Sequence, residues 1–371
     1  MTSEARLGRV NVAVIFGGRS GEHEVSLASA RSVVANLDSD RYSVVLVGIT
    51  KEGKWVLPAD GPKALAEGFA AIESAPADIP VDYGSSLVRL NGAAPVPVGD
   101  IDVVFPVLHG TYGEDGTVQG LLELSGLPYV GSGVLGSAVG MDKVTMKALF
   151  NAAGLRNAAA IDFKRRDWEA DRQSILDRTA DEIGFPCFIK PANLGSSVGI
   201  SKVKRLAELP AAIDLAAEFD LKILVEESIE NAHEIECSVL GNDDPEASVL
   251  GEIIPSREFY SYEAKYVDDA SGQIIPAPLP DDVTVAVREM AVQAFKALDC
   301  AGLARVDFLV KRDTHEIFLS EVNTLPGFTQ ISMYPKLWEA TGLSYPDLLD
   351  RVIQLALERH AERSSLRTSY E

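Results

Sequence analysis

Two carboxylates and an amide occur in residues 304–323, ARVDFLVKRDTHEIFLSEVN, where two strand-like runs flank a polar turn. Such a pattern is typical of a β-hairpin. With the turn centred on Thr314, Asp307 lies opposite Glu321, and Asn323 points to the same face because side chains alternate along a strand. Two facing carboxylates repel each other unless a cation lies between them. The spacing therefore predicts a cation site at this end of the hairpin.

Oxygen donors without a histidine or a thiol favour Mg²⁺ or Mn²⁺, which usually binds one or two carboxylates together with substrate phosphates. An exposed hairpin with solvated charges fits the same spacing, because a one-residue change of register separates the three side chains. The opposite face of the hairpin is apolar and is predicted to pack into a core. Its residues are Val306, Phe308, Val310, Phe318 and Val322.

A second candidate site is the loop KPANLGSSVG (190–199), which follows a strand-like run. Its glycines let successive backbone N–H groups turn toward an anion, and the hydroxyls of Ser196 and Ser197 add donors. It is not a P-loop, because Lys190 precedes the loop instead of opening a helix. Taken alone, a loop of this composition is more often a flexible turn. The pattern permits a phosphate site without requiring one.

Two other glycine-rich stretches differ in the kind of ligand site that they could form. Residues 131–136, GSGVLG, match the dinucleotide pattern GxGxxG, but the preceding strand is very short and the expected ribose-binding acid is missing. We therefore reject a dinucleotide site here, and an NAD-dependent dehydrogenase is the weakest of the alternatives. Residues 17–21, GGRSG, lie between a predicted strand and a predicted helix, whose N-terminus can hold a carboxylate or a small anion.

His109 ends a buried strand and begins the segment HGTYGEDG (109–116). A lone histidine is usually structural. This one shares its strand end with Glu114 and Asp115, at the edge where α/β sheets place their ligands. We therefore predict that His109 is a functional residue.

Composition excludes several classes of partner. The chain of 371 residues carries a net charge of −21, which argues against a nucleic-acid or anionic-membrane surface. No apolar run approaches the ~18 residues that cross a bilayer, and the first residues lack a signal-peptide cleavage site. The three cysteines are scattered, which indicates neither a disulfide framework nor a zinc site. We expect a cytoplasmic enzyme.

The order of predicted elements indicates a mixed α/β and α+β protein. A strand at 10–16, a glycine turn, a helix and a strand at 42–50 form a βαβ unit, which implies a parallel, Rossmann-like sheet. Residues 57–99 are rich in Ala, Pro and Gly and are interpreted as an elaboration with a helix near 62–73. We predict an N-terminal substrate domain (1–132), a central nucleotide-holding lobe (133–227) and a C-terminal lobe with the metal site (228–371).

These segments, in this order, resemble those of the ATP-grasp ligases and, within them, the D-alanine–D-alanine ligase family. Each motif is weak alone, but together they are specific and cover nearly the whole chain. The 57–99 elaboration is longer than the shortest family members need, and it leaves the motifs intact. The motifs are GGRSGEHEVS, HGTYGEDG, GSGVLGSAVGMDK, KPANLGSSVGISKV, EFYSYEAKY, ARVDF and EVNTLPGFT.

The resemblance implies an ATP site and a metal site. Three lysines resemble those that bind the ATP phosphates, one of them in a closing loop, and two acids resemble those at the adenine edge (Glu227) and the ribose (Glu234). The ATP-binding residues are Lys143, Lys190, Ser197, Glu227, Glu234 and Lys265. The ligands of two Mg²⁺ or Mn²⁺ ions are Asp307, Glu321 and Asn323.

The resemblance also implies residues for the amino-acid substrates. Glu22 and His109 resemble residues near a first D-alanine, and Ser332 resembles the one that binds the carboxylate of a second. Arg305 and the backbone N–H of Gly327 resemble donors that stabilise a tetrahedral intermediate. The residues of a hydrogen-bonded triad over the closed site are Glu22, Ser196 and Tyr266.

The activity implied is ATP-dependent synthesis of D-alanyl-D-alanine for peptidoglycan, by a homodimer, through an acylphosphate that a closing lid protects from water. Residues 257–275 and the glycine-serine loop are the lid candidates. Two alternatives stay open. One is a ligase that joins D-alanine to D-lactate or D-serine, although Tyr266 is associated with the dipeptide product. The other is a non-catalytic nucleotide-binding protein on the same scaffold.

Overall fold

The structure is a computed structural model that describes residues 9–58, 63, 65, 74–78, 86–91, 94–254 and 272–367. The helix expected near 62–73 lies outside these residues except for Lys63 and Leu65, which are helical. Most of the expected lid, residues 257–271, also lies outside them. No helix of the described part is long and apolar enough to cross a membrane.

The described elements follow one another along the chain without internal repeats of the same unit. A short 3₁₀ helix (Leu206–Glu208) precedes the seventh α-helix. The elements are β1 (Val10–Gly17), α1 (His23–Asn36), β2 (Tyr42–Ile49), β3 (Trp55–Pro58), β4 (Ser74–Asp78), β5 (Ser86–Asn91), β6 (Ala94–Asp100), β7 (Val103–Val107), α2 (Thr117–Leu124), α3 (Val134–Met141), α4 (Lys143–Ala152), β8 (Ala160–Lys164), α5 (Arg165–Ala170), α6 (Arg172–Glu182), β9 (Cys187–Pro191), β10 (Ser201–Val203), α7 (Leu209–Phe219), β11 (Lys222–Glu227), β12 (Ala232–Gly241), β13 (Glu246–Ile254), β14 (Gly272–Ile274), α8 (Asp281–Ala297), β15 (Gly302–Lys311), β16 (Ile317–Asn323), α9 (Met333–Thr341) and α10 (Tyr345–Ser364).

The chain forms two compact units. Unit 1 comprises Met1–Ser132 and Gly327–Glu371, and unit 2 comprises Gly133–Pro326. The sequence analysis placed residues 327–371 in a C-terminal lobe, whereas the structure groups them with the N-terminal part of the chain. The division into three domains, including the boundary at 227/228, stays a prediction.

Unit 1 contains a seven-stranded sheet in the order β6-β5-β4-β3-β2-β1-β7. β1 pairs in parallel with β2 and β7, which confirms the parallel sheet expected from the βαβ pattern. Residues 12–16 of β1 are fully buried, as is typical of a central parallel strand covered on both faces. The strands β3 to β6, which include part of the 57–99 elaboration, extend this sheet in antiparallel fashion.

Unit 2 contains two antiparallel sheets. The four-stranded sheet has the order β10-β9-β11-β8, and one of its faces packs against α5, α6 and α7. Its other face carries Lys190, Lys202 and Glu226, because these residues alternate with the buried Ile189, Val203 and Val225 along their strands. The sheet therefore presents a charged face with a lysine on each of two neighbouring strands.

The five-stranded sheet of unit 2 has the order β14-β13-β12-β15-β16. The helix α8 covers one face of this sheet with residues spaced at helical intervals, among them Val287, Ala291 and Phe295, all fully buried. The predicted hairpin is β15–β16, with Asp307 opposite Glu321 and Arg305 opposite Asn323. The register on which the cation site depended is therefore confirmed.

A bulge at Ser320 corrects one detail of the hairpin. The register shifts between Asp307 and Phe308, so that Phe308 lies opposite Leu319. One extra residue on a strand moves the side chains beyond it to the other face. Leu319 is consequently buried in the core, whereas Phe318, which was expected there, lies half-buried under the guanidinium of Arg156, 5.4 Å from the ring centroid. The expectation for Phe318 was wrong.

Candidate active site

The five-stranded sheet of unit 2 carries a row of acidic residues across three neighbouring strands. Glu236 on β12 lies opposite Asp307 on β15, which lies opposite Glu321 on β16. Side chains at paired positions share one face of a sheet. The core residues of these strands occupy the opposite face, which packs against α8. The acids therefore lie on the face of the sheet that does not contact α8. Sequence reasoning identified Asp307 and Glu321 but missed Glu236.

Arg305 neutralises two of these acids. Its Nε and Nη2 donate to the two carboxylate oxygens of Asp307, both at 2.7 Å, and its Nε is 3.2 Å from Oε2 of Glu236. Burial lowers the pKa of Arg305, but the charges of Asp307 and Glu236 outweigh it and raise the pKa well above its ordinary value. A planar guanidinium suits this two-point contact, whereas an ammonium does not. Arg305 is therefore a fixed positive charge.

The donor set at the hairpin end fits a magnesium or manganese ion. Asn323 donates from Nδ2 to Asp307 Oδ2 at 3.0 Å, and Glu321 Oε2 lies 4.0 Å from Nζ of Lys143. The carboxylates of Asp307 and Glu321 thus already lie near the cationic groups of Arg305 and Lys143. The atoms that Asp307, Glu321 and Asn323 can offer to a metal ion are hard oxygens. Within the described ranges no three His, Cys, Asp or Glu side chains form a metal site by themselves. Phosphate oxygens of a substrate would have to complete the coordination.

Lys143 connects this hairpin to the glycine-serine loop. It is the first residue of α4, is largely buried, and donates from Nζ to the carbonyl of Leu194 at 2.7 Å. Asp142 caps the same helix by accepting from the N–H groups of Val144 and Thr145. The ammonium of Lys143 therefore lies beside both Glu321 and the loop.

The backbone of the loop is constrained at three positions. Ser196 and Ser197 have positive φ angles of 50° and 58°, which non-glycine residues rarely adopt. Gly199 has φ +71°, and a Cβ there would lie 2.8 Å from the ring of Phe219. Such conformations occur where surrounding structure or a ligand holds the chain. Both predicted serines are thus on a loop of unusual shape in unit 2.

Lys190 is held by an acid that sequence reasoning missed. Glu226 forms ion pairs with Lys190 and with Lys147, and both its oxygens are engaged. Burial raises the pKa of Glu226, but the charges of the two lysines outweigh burial and lower the pKa to about 2. Burial lowers the pKa of Lys190, but the charge of Glu226 outweighs burial and raises the pKa above its ordinary value. The adjacent Glu227, predicted at the adenine edge, is exposed.

An aromatic ring lies beside Lys190, and a further predicted acid lies on the neighbouring sheet of unit 2. The ring of Phe188 lies 5.5 Å from Nζ of Lys190 and 5.8 Å from Nζ of Lys202, so two ammonium groups contact one ring. Glu234 lies on β12, two residues before Glu236 and therefore on the same face. Alternation along β12 could have indicated Glu236, which follows Glu234 by two residues, whereas the residue two positions before Glu226 on β11 is the buried Leu224.

Unit 1 brings Glu22 and His109 to one sheet edge. Glu22 is the N-cap residue of α1 and is 8% exposed, and its carboxylate lies against the backbone of Gly110, where an added Cβ would be 2.6 Å from Oε2. His109 is also buried, and its carbonyl accepts from Ser20 Oγ at 2.7 Å. The two predicted first-substrate residues are therefore neighbours through Gly110.

Gly327 and Ser332 lie together at the start of α9. Ser332 is the N-cap residue of this helix, and a Cβ added to Gly327 would be 2.9 Å from its Oγ. The Oγ of Ser332 also contacts Thr329, accepting from its N–H at 3.1 Å. Orphan N–H groups and the helix dipole make such a helix start favourable for a carboxylate. The binding of a substrate carboxylate by Ser332 stays a prediction.

Lys265 and Tyr266 lie outside the described residues, so the structure gives no geometry for the predicted triad. Of its other two members, Glu22 belongs to unit 1 and Ser196 to unit 2.

Comparisons with known proteins identify the family of this chain. A family model for the "D-ala D-ala ligase N-terminus" matches residues 11–132, and one for the "D-ala D-ala ligase C-terminus" matches residues 149–354. The D-alanine–D-alanine ligase of Thermoanaerobacter sp. (strain X514) is 52% identical over 358 residues, covering 95% of this chain and 98% of the relative. That of Natranaerobius thermophilus is 50% identical, covering 98% and 99%.

Solved structures give the same result. The D-alanine–D-alanine ligase of Coxiella burnetii has a TM-score of 0.83 at 36% identity and covers 96% of each chain. The VanG D-Ala:D-Ser ligase of Enterococcus faecalis has a TM-score of 0.84 at 38% identity, covering 94% of this chain and 100% of that one. The two family models together match most of the chain, and the curated relatives match nearly all of it. This chain therefore belongs to the D-alanine–D-alanine ligase family of ATP-dependent carboxylate–amine ligases, with the ATP-grasp fold.

Proposed function

We propose that this chain joins two D-alanines to D-alanyl-D-alanine for peptidoglycan synthesis, converting ATP to ADP and phosphate. The observation that carries the proposal is the concentration of fixed positive charge around an oxygen-donor set in unit 2: Arg305, Lys143 and Lys190 surround acids on neighbouring strands. Phosphoryl transfer needs positioning and neutralisation of charge rather than a protein nucleophile.

Unit 2 would bind the nucleotide. Lys143 and Lys190 neutralise the phosphates, the N–H groups and hydroxyls of Ser196 and Ser197 supply further donors, and Lys265 adds a third cation. Glu227 and Glu234 contact adenine and ribose. Asp307, Glu321 and Asn323 hold two Mg²⁺ or Mn²⁺ ions, which neutralise phosphate oxygens when bound. The oxygen-donor chemistry of these side chains supports this assignment.

The amino-acid substrates would bind to residues at strand and helix ends of unit 1. Glu22 and His109 orient the first D-alanine, whose carboxylate takes the γ-phosphate and becomes an acylphosphate. The amine of the second D-alanine attacks that carbon, and phosphate leaves. Arg305 and the N–H of Gly327 stabilise the oxyanion of the tetrahedral intermediate. Ser332 and the start of α9 bind the second carboxylate, with the helix dipole as support.

A second candidate is ligation of D-alanine to D-serine, because the VanG D-Ala:D-Ser ligase is as similar in structure as the Coxiella enzyme. The names of the curated relatives favour the dipeptide of D-alanine instead. Tyr266, with Ser196 and Glu22 as its partners, is the residue we associate with that choice.

The remaining parts of the proposal rest on the sequence and on the family resemblance. They are a three-domain organisation (1–132, 133–227 and 228–371), a homodimer, a cytoplasmic location, and a lid that includes residues 257–275. The net charge of −21 supports the absence of nucleic acid and anionic membrane among its partners.

One assay tests the reaction and its alternatives. ATP-dependent phosphate release is measured with D-alanine, L-alanine, D-lactate and D-serine, singly and in pairs, and each product is weighed by mass spectrometry. We expect D-alanine alone to give phosphate and D-alanyl-D-alanine in equal amounts. A mixed product that dominates when D-serine or D-lactate is added would assign the chain to those ligases. An absence of ATP turnover with every substrate would support a non-catalytic protein.

A further inference from the structure

A buried serine of α1 contacts two segments to which the proposed function assigns roles. Ser29 is fully buried, and its Oγ lies 3.1 Å from Nε2 of His109. The same oxygen accepts a hydrogen bond from the backbone N–H of Phe328 at 3.3 Å. Phe328 follows Gly327, the proposed oxyanion donor. One hydroxyl therefore joins a helix, the end of a strand and the loop that precedes α9.

The peptide of Phe328 is held from its other side as well. The hydroxyl of Tyr345, the first residue of α10, donates to the carbonyl of Phe328. Ser32, one turn after Ser29 on α1, lies 3.2 Å from that phenolic oxygen. The ring of Phe328 is buried and lies 5.8 Å from that of Phe105, in an edge-on arrangement. Both polar groups of this residue are thus fixed by side chains of unit 1.

The contacts differ from those of an equally buried serine on the same helix. Ser26 is also fully buried, but its Oγ accepts from Gly17 N–H at 2.8 Å and donates to the carbonyl of Val107, both in the strands of the core. The hydroxyl of Ser26 therefore joins α1 to its own sheet. The hydroxyl of Ser29 instead reaches the imidazole and the loop. A hydroxyl can accept one hydrogen bond and take part in another, so it can serve both groups at once.

We propose that Ser29 is a positioning residue for the ligation reaction: it orients the His109 imidazole and the Gly327–Phe328 peptide together. This inference rests on the proposed function, because the orientation of the His109 imidazole and of the Gly327–Phe328 peptide affects catalysis only if both groups bind the substrates. An imidazole and a backbone N–H contribute to catalysis only when they point at the substrate before it reacts. Removal of the hydroxyl releases both groups at the same time, which a change at either one would not do.

The test compares Ser29→Ala with Ser26→Ala, a matched loss of a buried hydroxyl from the same helix. We expect Ser29→Ala to lower kcat by about tenfold and to leave the KM for ATP unchanged, since a lost hydrogen bond of this kind has that order of effect. Ser26→Ala should lower the melting temperature about as much as Ser29→Ala does, because each variant loses one buried hydroxyl. The kcat of Ser26→Ala should stay within about twofold of wild type. Ser29→Thr, which keeps a hydroxyl, should recover part of kcat.

A second readout is independent of turnover. The ¹⁵N chemical shifts of the His109 ring report its tautomer and hydrogen bonding, and they are assigned among the five histidines with a His109→Gln variant. We expect Ser29→Ala to shift the Nε2 resonance and Ser26→Ala to leave it in place. If wild type makes no dipeptide while this shift occurs, the proposed function fails and the contact stands.

Two results would overturn the inference itself. One is a dipeptide-forming wild type whose Ser29→Ala variant is folded, keeps the wild-type kcat and shows an unmoved Nε2 resonance. The other is an equal loss of kcat in Ser26→Ala, because the effect would then be a general consequence of disturbing α1.

Discussion

The two units place their candidate site residues on different kinds of structure. In unit 2, apart from Asn323 and the loop serines Ser196 and Ser197, they are ionised side chains, most of them on antiparallel strands, and they form ion pairs, as Arg305 does with Asp307 and Lys190 does with Glu226. In unit 1, apart from Glu22, they are an imidazole, hydroxyls and backbone N–H groups at strand ends and helix starts, such as His109 and Ser332.

The difference follows from what each unit would bind. A triphosphate with metal ions needs several full charges at fixed positions, and strands hold long side chains in a regular array. An amino acid carries one carboxylate and one amine, for which a helix start and a few hydrogen bonds are sufficient. Loss of a charged group in unit 2 should therefore cost far more than loss of a neutral one in unit 1.

The largest effect is expected for Glu321→Gln, which removes one carboxylate of the proposed metal site. We expect kcat to fall by about a thousandfold, because a lost metal ligand removes several kcal/mol of transition-state stabilisation. The measurement is kcat as a function of Mg²⁺ concentration, with circular dichroism to verify the fold. Glu316→Gln is the matched control, since Glu316 is exposed on the same hairpin and pairs with Arg156. Wild-type activity of Glu321→Gln at limiting Mg²⁺ would refute the metal assignment.

Arg305→Ala should have the next largest effect. It removes the guanidinium that contacts both Asp307 and Glu236, and with it the proposed oxyanion donor. We expect kcat to fall by about a hundredfold and the KM for D-alanine to change much less, because charge on the intermediate exceeds that on the substrate. Steady-state kinetics provide the measurement, with Arg312→Ala, whose partner is Glu252, as control. An effect confined to KM would limit Arg305 to binding.

Glu226→Gln should reduce the stability of unit 2 in a pH-dependent way. The folded pKa of Glu226, about 2, lies below its ordinary value of 4.5, so the ionised carboxylate stabilises the fold above pH 4.5 and this contribution disappears as pH falls through 2. We expect the variant to lose about 3 kcal/mol of unfolding free energy at pH 7, and the difference to narrow toward pH 2.

Urea unfolding at pH 7, 4.5 and 3 measures this difference. Glu227→Gln, the same change at the adjacent exposed residue, is the stability control and should leave the unfolding free energy nearly unchanged. A deficit of the Glu226 variant that does not depend on pH would show that the ion pairs with Lys147 and Lys190 are not its source.

The smallest effect is expected in unit 1. Ser332→Ala removes one neutral donor at the start of α9 and should raise the KM for the second D-alanine by about three- to tenfold, with little change in kcat, because the helix N-terminus remains. Ser344→Ala is the control, since Ser344 is the N-cap residue of the neighbouring helix α10. A loss of kcat in Ser332→Ala as large as that of the charged variants would contradict the contrast between the units.

Sequence alone determined most of the elements and indicated the candidate residues of the site. Short runs of apolar, β-branched residues set the strands β1 and β2, alternation set β15, and the polar turn set the hairpin register that pairs Asp307 with Glu321. These features are local, because the period of a strand and the geometry of a short turn depend on neighbouring residues. The motifs and their order then indicated the family, and through it the lysines and serines proposed for a phosphate site.

Only the tertiary structure decided how distant segments meet. The bulge at Ser320 exchanged Phe318 for Leu319 in the core, and the return of residues 327–371 to unit 1 placed Phe328 against Ser29. The neutralisation of Glu226 by Lys147 and Lys190 joins a helix to two strands. A pattern along the chain reports only which face a residue occupies, whereas these contacts depend on which other face packs against it, and that is determined by the fold as a whole.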